Sequence, residues 1–162
     1  KVDPKGFQGA IAFLDTVTEP PGNGGYGGRV GYTGPKGTTT MTAVGMLCRQ
    51  FMGWKRTDDL LIGGANYLQT SLPAWGKGGR QYYYWYYGTL VMFQMGGDYW
   101  KQWNGSLRDM LPAHQINDKN NLKLDGSWDP LGCGTKAGRA YSTAMACLCL
   151  EVYYRYLPMY KK

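Results

Sequence analysis

No stretch of this chain approaches the run of about 20 apolar residues that a membrane helix needs. The most apolar run, Ala144 to Leu150, is far too short. Histidine is nearly missing, with His114 its single instance. That leaves little room for His-rich metal or acid–base chemistry. Cysteine is sparse: Cys48, Cys133, Cys147 and Cys149 form no C-x-x-C clamp and no disulfide framework. Cys147 and Cys149 lie two apart in a helical context, so they face different sides and cannot pair with each other. Free thiols favour a reducing compartment without excluding export. The period-two alternation of strands is missing as well.

Charge of one sign is never concentrated. Lys and Arg number 18 against 11 Asp and Glu, for a formal net charge of +7. The longest basic runs are only Lys55-Arg56 and Lys161-Lys162. A nucleic-acid footprint clusters its basic residues, so nucleic acid is not an expected partner. The opening "KVDPKGFQ" has neither a start methionine nor a signal-like apolar segment. It points to a longer gene product of which these residues are the C-terminal part, and it says nothing of compartment.

Glycine and aromatic residues are abundant, with 25 Gly, 14 Tyr and 6 Trp. Helical signals dominate between Gly-rich loops. "GAIAFLDTV" (Gly9–Val17) reads as the end of a helix, followed by the loop "EPPGNGGYGGRVGYTGPKG". Thr38–Trp54 is helical with a Thr cap. Thr57–Leu72 is a second helix, capped by Thr57 or Asp58. The aromatic run "YYYWYYGTLVMFQM" makes Tyr82–Met95 a helix closed by Gly96-Gly97. Asp98 is expected to cap the next, which runs to about His114. "GRAYSTAMACLCLEVYYRYLP" is a last apolar helix stopped by Pro158.

Internal similarity joins these pieces. "TAVGMLC" (Thr42–Cys48) and "TAMACLC" (Thr143–Cys149) share Thr, Ala, Leu and Cys in register. Each follows a Gly-aromatic element, "GGYG" at Gly24–Gly27 and "GSW" at Gly126–Trp128. Leu47, Met52, Gly53 and Leu68 recur 43 residues later as Leu90, Met95, Gly96 and Leu111. The repeat is a helical hairpin of roughly fifty residues. Hairpins that bury their faces against neighbours build solenoids or closed toroids.

This pattern resembles the prenyltransferase and squalene-cyclase (squalene-oxidase) repeat, the building block of the α/α toroid. That signature is a helix ending near Gln, a Gly-x-Trp turn and a buried helix. Gln115, Gly126-Ser127-Trp128 and the helix from about Arg139 follow it, with Gly25-Tyr26-Gly27 a degenerate copy. "GRAYSTAMA" and "LEVYYRYLP" look like the C-terminal repeats of large bacterial members of unassigned activity. The resemblance implies an all-α fold: residues 1–162 as one domain, about three repeated helical hairpins forming part of a toroid. A full ring needs nearly twice this length, so both ends should expose apolar faces. The rest of the parent protein or a second copy would cover them.

Its catalytic motifs do not carry over. Cyclases use D-x-D-D, but Asp58-Asp59 reads as a helix start. Protein prenyltransferases hold zinc with Asp, Cys and His. Asp129, Cys133 and His114 are the candidates here, in the wrong spacing and order for a converging tetrahedron. Thioester domains use G-C-G-E-Q, whereas "GCGTK" (Gly132–Lys136) lacks the Gln. No metal and no cofactor are therefore expected. Polysaccharide lyases on α/α toroids use Tyr, His and Arg, for which His114, Arg139 and the tyrosines are available. The stretch "DGSWDPLGCGTKAGR" (Asp125–Arg139) reads mostly as punctuation between helices, with Cys133 beside Lys136 unaccounted for.

The function expected is a non-catalytic binding or scaffolding module. It would present a concave aromatic surface to a lipid, sugar or peptide, or to a partner domain. The ligand-facing candidates are Tyr83, Tyr84, Tyr87, His114, Trp128, Asp129, Cys133, Arg139 and Tyr141. The alternatives are part of an isoprenoid-processing enzyme, and a lyase acting on an acidic polymer.

Overall fold

The computed structural model describes residues 3–22, 27–76, 81–130 and 136–155. The described residues are helical and contain no strand beyond one isolated antiparallel bridge, Thr18 to Val30. None of the described helices is long and apolar enough to cross a membrane. The chain divides into two compact units between Ser71 and Leu72.

The first unit holds α1 (Pro4–Val17), α2 (Thr39–Phe51) and α3 (Asp59–Gln69). Asp3 caps α1, its Oδ1 accepting from Lys5 N at 2.9 Å, and Pro4 stands in the first turn, where no N–H is missed. Thr38 caps α2 as expected, its Oγ1 accepting from Met41 N. Asp58 holds the N-cap position of α3 without capping it, because its carboxylate accepts instead from Lys55 N at 2.6 Å. Helix α3 packs on α2 and on the glycine loop at backbone distance. A Cβ on Gly63 would lie 1.9 Å from the Gly27 carbonyl oxygen, so no side chain fits there. The guanidinium of Arg49, 1% exposed, joins α2 to α1 through Asp15 Oδ1 (3.1 Å) and Thr18 Oγ1 (2.8 Å), and it lies 4.5 Å from the Trp54 ring centroid.

The second unit holds α4 (Tyr82–Met95), α5 (Gly97–Leu107), the single turn α6 (Met110–Ala113), α7 (Gly138–Leu150) and the single turn α8 (Val152–Arg155). Helix α4 is apolar all round and packs against α5 and α7. Trp103 of α5 lies over Gly88, where a Cβ would come within 2.3 Å of its ring, and its Nε1 donates to Thr89 Oγ1 at 3.0 Å. The helix expected from Asp98 to His114 is broken. Pro112 would crowd the carbonyl of Arg108, four residues earlier, so α5 ends at Leu107 and a new turn begins at Met110. Gly96 occupies the N-cap of α5, and Asp98 lies in its first turn.

The two units share one turn. In the first, Glu19 N donates to Arg29 O and Gly28 N to Glu19 O, both at 2.8 Å. In the second, Ile116 N donates to Ser127 O (2.9 Å) and Gly126 N to Ile116 O (2.7 Å). Gly28 and Gly126 both adopt positive φ, at 83° and 76°, which glycine takes without strain. Val30 N then donates to Thr42 Oγ1 on α2 (2.9 Å), as Trp128 N donates to Thr143 Oγ1 on α7 (3.2 Å). The counterpart of Gly126-Ser127-Trp128 is therefore Gly28-Arg29-Val30. Gly25-Tyr26-Gly27, the copy read from the sequence, lies just upstream, and Gly25 and Tyr26 fall outside the described residues.

Candidate functional site

An apolar groove opens between α1 and α2. On α1, Phe7, Ala10, Leu14 and Val17 recur at three- and four-residue steps and so share one face. On α2, Met41, Val44, Gly45, Cys48 and Met52 do the same. Val30 and Tyr32 of the intervening loop contribute to the lining. The space measures about 850 Å³ and its lining includes no charged residue. Gly45 lies under Val30, whose methyls would sit 2.8 Å from an added Cβ. The aromatic rings at the groove are left in water: Phe13 is 58% exposed, Phe51 62% and Tyr32 76%. Cys48 reaches solvent from the wall. Desolvation by its surroundings raises its thiol pKa against the pull of Arg49.

The residues singled out from the sequence fall elsewhere. Tyr84 is buried edge-on against Trp103, at 5.5 Å between ring centres. Tyr83 is exposed and pairs with Tyr87 at 4.6 Å. His114 stacks on Trp75 at 4.0 Å, with Nδ1 2.9 Å from the Met110 carbonyl oxygen. Trp128, 2% exposed, donates from Nε1 to Leu111 O at 2.8 Å, an anchor between helices. Arg139 bonds Asp129 Oδ1 (2.9 Å) and Ser127 Oγ (3.1 Å), while the Tyr82 hydroxyl donates to Asp129 O. Trp128, Asp129 and Arg139 thus come together, around the turn that leads into α7. Tyr141 is half-buried on α7. Cys133 lies outside the described residues. Among the described residues no group of His, Cys, Asp or Glu converges as metal ligands do.

Gly9–Val17 by itself shows only the end of a helix, so the sequence reading does not reach the groove residues. Extending the pattern upstream to Phe7 completes the stripe and is the signal that could have found it. No known protein family matches the chain, and no curated protein or solved structure is similar enough to it to count as a match.

Proposed function

We propose that this chain is a binding or scaffolding module whose working surface is the α1–α2 groove. The observation that carries this reading is the groove's composition. A space of about 850 Å³ without a charged lining residue, rimmed by exposed Phe13, Phe51 and Tyr32, is a surface waiting for an apolar occupant. The polar residues that might have served chemistry are engaged in structural bonds. Asp129 and Arg139 brace a turn, Asp58 closes a loop, and His114 meets a helical carbonyl. This favours binding over catalysis. The arc of an α/α toroid remains our reading of the hairpins, supported by the shared glycine turn and by Gln115, whose Nε2 donates to Gly126 O at 2.7 Å.

The test is binding of an apolar fluorescent dye, anilinonaphthalene sulfonate, to the full chain and to Val44→Glu. The charge falls on the groove wall, where the half-exposed site tolerates it. Saturable dye fluorescence that Val44→Glu abolishes is the expected result. Dye binding that Val44→Glu leaves unchanged would place the apolar surface elsewhere and refute the reading.

A further inference from the structure

Helix α1 is specified at its start and unsupported along its length. Asp3 caps it and Pro4 stands in its first turn, so local chemistry sets where it begins. Beyond that turn little holds it. It packs along none of the other described helices. Every residue from Pro4 to Ala10 is exposed, as are Ala12 and Phe13. Its buried residues, Leu14 and Val17, both lie in the last turn. There Asp15 meets Arg49, and the Val17 carbonyl accepts from Gly31 N at 2.8 Å. Ahead of this anchor Gly6 and Gly9 stand inside the helix, and each lowers its stability. A helix of 14 residues that borrows so little packing is marginal in water.

We propose that Pro4–Phe13 orders as the groove fills, so that α1 is a helix coupled to occupancy and not a fixed wall. The inference rests on the groove being the working surface. The helix seen is the binding-competent form. While the groove is empty it exchanges with a predominant form frayed back to the anchor at Leu14. An apolar occupant lying against Phe7, Ala10 and Phe13 supplies the packing that the helix otherwise lacks. By linkage, a change that favours the helix tightens binding, up to the factor by which it favours the helix. The coupling therefore reaches residues that never touch the occupant. Gly9 and Ala12 are exposed and lie outside the groove lining, and a Cβ on Gly9 would meet nothing within 4 Å. Substitutions there change helix propensity and leave the groove as it is.

Anilinonaphthalene sulfonate is titrated into the full chain and into Gly9→Ala, Ala12→Gly and Gly105→Ala, with backbone amide exchange followed in parallel. Gly9→Ala should lower the dye Kd roughly fourfold, and Ala12→Gly should raise it roughly fourfold. Gly105→Ala, the same substitution on α5 with open space around it, should leave the Kd unchanged. Amides of Gln8–Phe13 should exchange at least tenfold more slowly at saturating dye. Dye binding that Val44→Glu abolishes, at a Kd that neither Gly9→Ala nor Ala12→Gly moves, would overturn the coupling and leave the groove reading standing. Amides of Gln8–Phe13 as protected in the empty protein as those of α4 would overturn it too. Equal tightening by Gly9→Ala and Gly105→Ala would mark a global effect and count against the coupling in the same way. Absence of saturable dye binding, or binding that Val44→Glu leaves unchanged, removes the groove reading and the coupling with it.

Discussion

Replacing Thr42 with valine tests the turn shared by the two units. The side chain keeps its volume and loses its oxygen. Thr42 and Val30 are both essentially buried, and the Thr42 hydroxyl is the acceptor for Val30 N at 2.9 Å. Leaving a buried donor without its acceptor costs about 2 kcal/mol. The equivalent change at Thr143 should cost less, about 1 kcal/mol, because the bond from Trp128 N is longer and only partly buried. Thr42→Ser separates the hydroxyl from the methyl. It should lose roughly 1 kcal/mol for the buried methyl and keep the hydrogen bond. The assay is urea unfolding together with amide exchange at Val30. A loss of about 2 kcal/mol corresponds to roughly thirtyfold faster exchange if that amide opens with the turn. Thr42→Val should show this acceleration and Thr42→Ser should not. The reasoning fails if Thr42→Val leaves stability within about 0.5 kcal/mol of the parent and Val30 protection unchanged.

Four further outcomes are expected. Gly63→Ala should cost about 3 kcal/mol in urea unfolding, because its Cβ would meet rigid backbone, the Gly27 carbonyl oxygen. Gly105→Ala on exposed α5, with open space around it, should instead add roughly 0.5–1 kcal/mol. Ser142→Ala removes a buried hydroxyl that has no hydrogen-bond partner, and should raise stability by about 1 kcal/mol in the same assay. Desolvation pushes the Cys149 thiol up to about 12. The unfolded chain therefore releases this proton at lower pH than the folded one. Its contribution is fully present below the ordinary thiol pKa, and is lost as pH rises toward 12 at about 1.4 kcal/mol per pH unit. Stability measured from pH 8 to 11 should fall less steeply in Cys149→Ala than in the parent, and parallel curves would refute the assignment.

The elements that were legible in the sequence are those whose ends carry a local chemical cause. Tyr82–Met95 was read to the residue because Gly96 takes a positive φ of 68° and ends the helix there. Thr38 was legible as a cap because its hydroxyl reaches the first-turn amide whatever surrounds it. The break at Pro112 was also written in the sequence, since a proline constrains the residue four positions earlier. Asp58 could not be resolved, because two nearby amides compete for one carboxylate and only the loop path decides between them.

The repeat exposes a different limit. Tyr26 is aromatic like Trp128, whereas the backbone pairing puts Val30 at the Trp128 position. What the two copies have in common is not the side chain that fills the turn. It is the positive-φ glycine that makes the turn and the threonine on the next helix that accepts its amide. A valine where the other copy has tryptophan occupies far less space, and it lies on the wall of the groove. In the second unit Trp128 is buried and bonds Leu111 O, and α4 packs against α7. In the first the smaller side chain and the uncovered stripe on α2 coincide. The position that obscured the repeat therefore helps to form the open surface on which the proposed function rests.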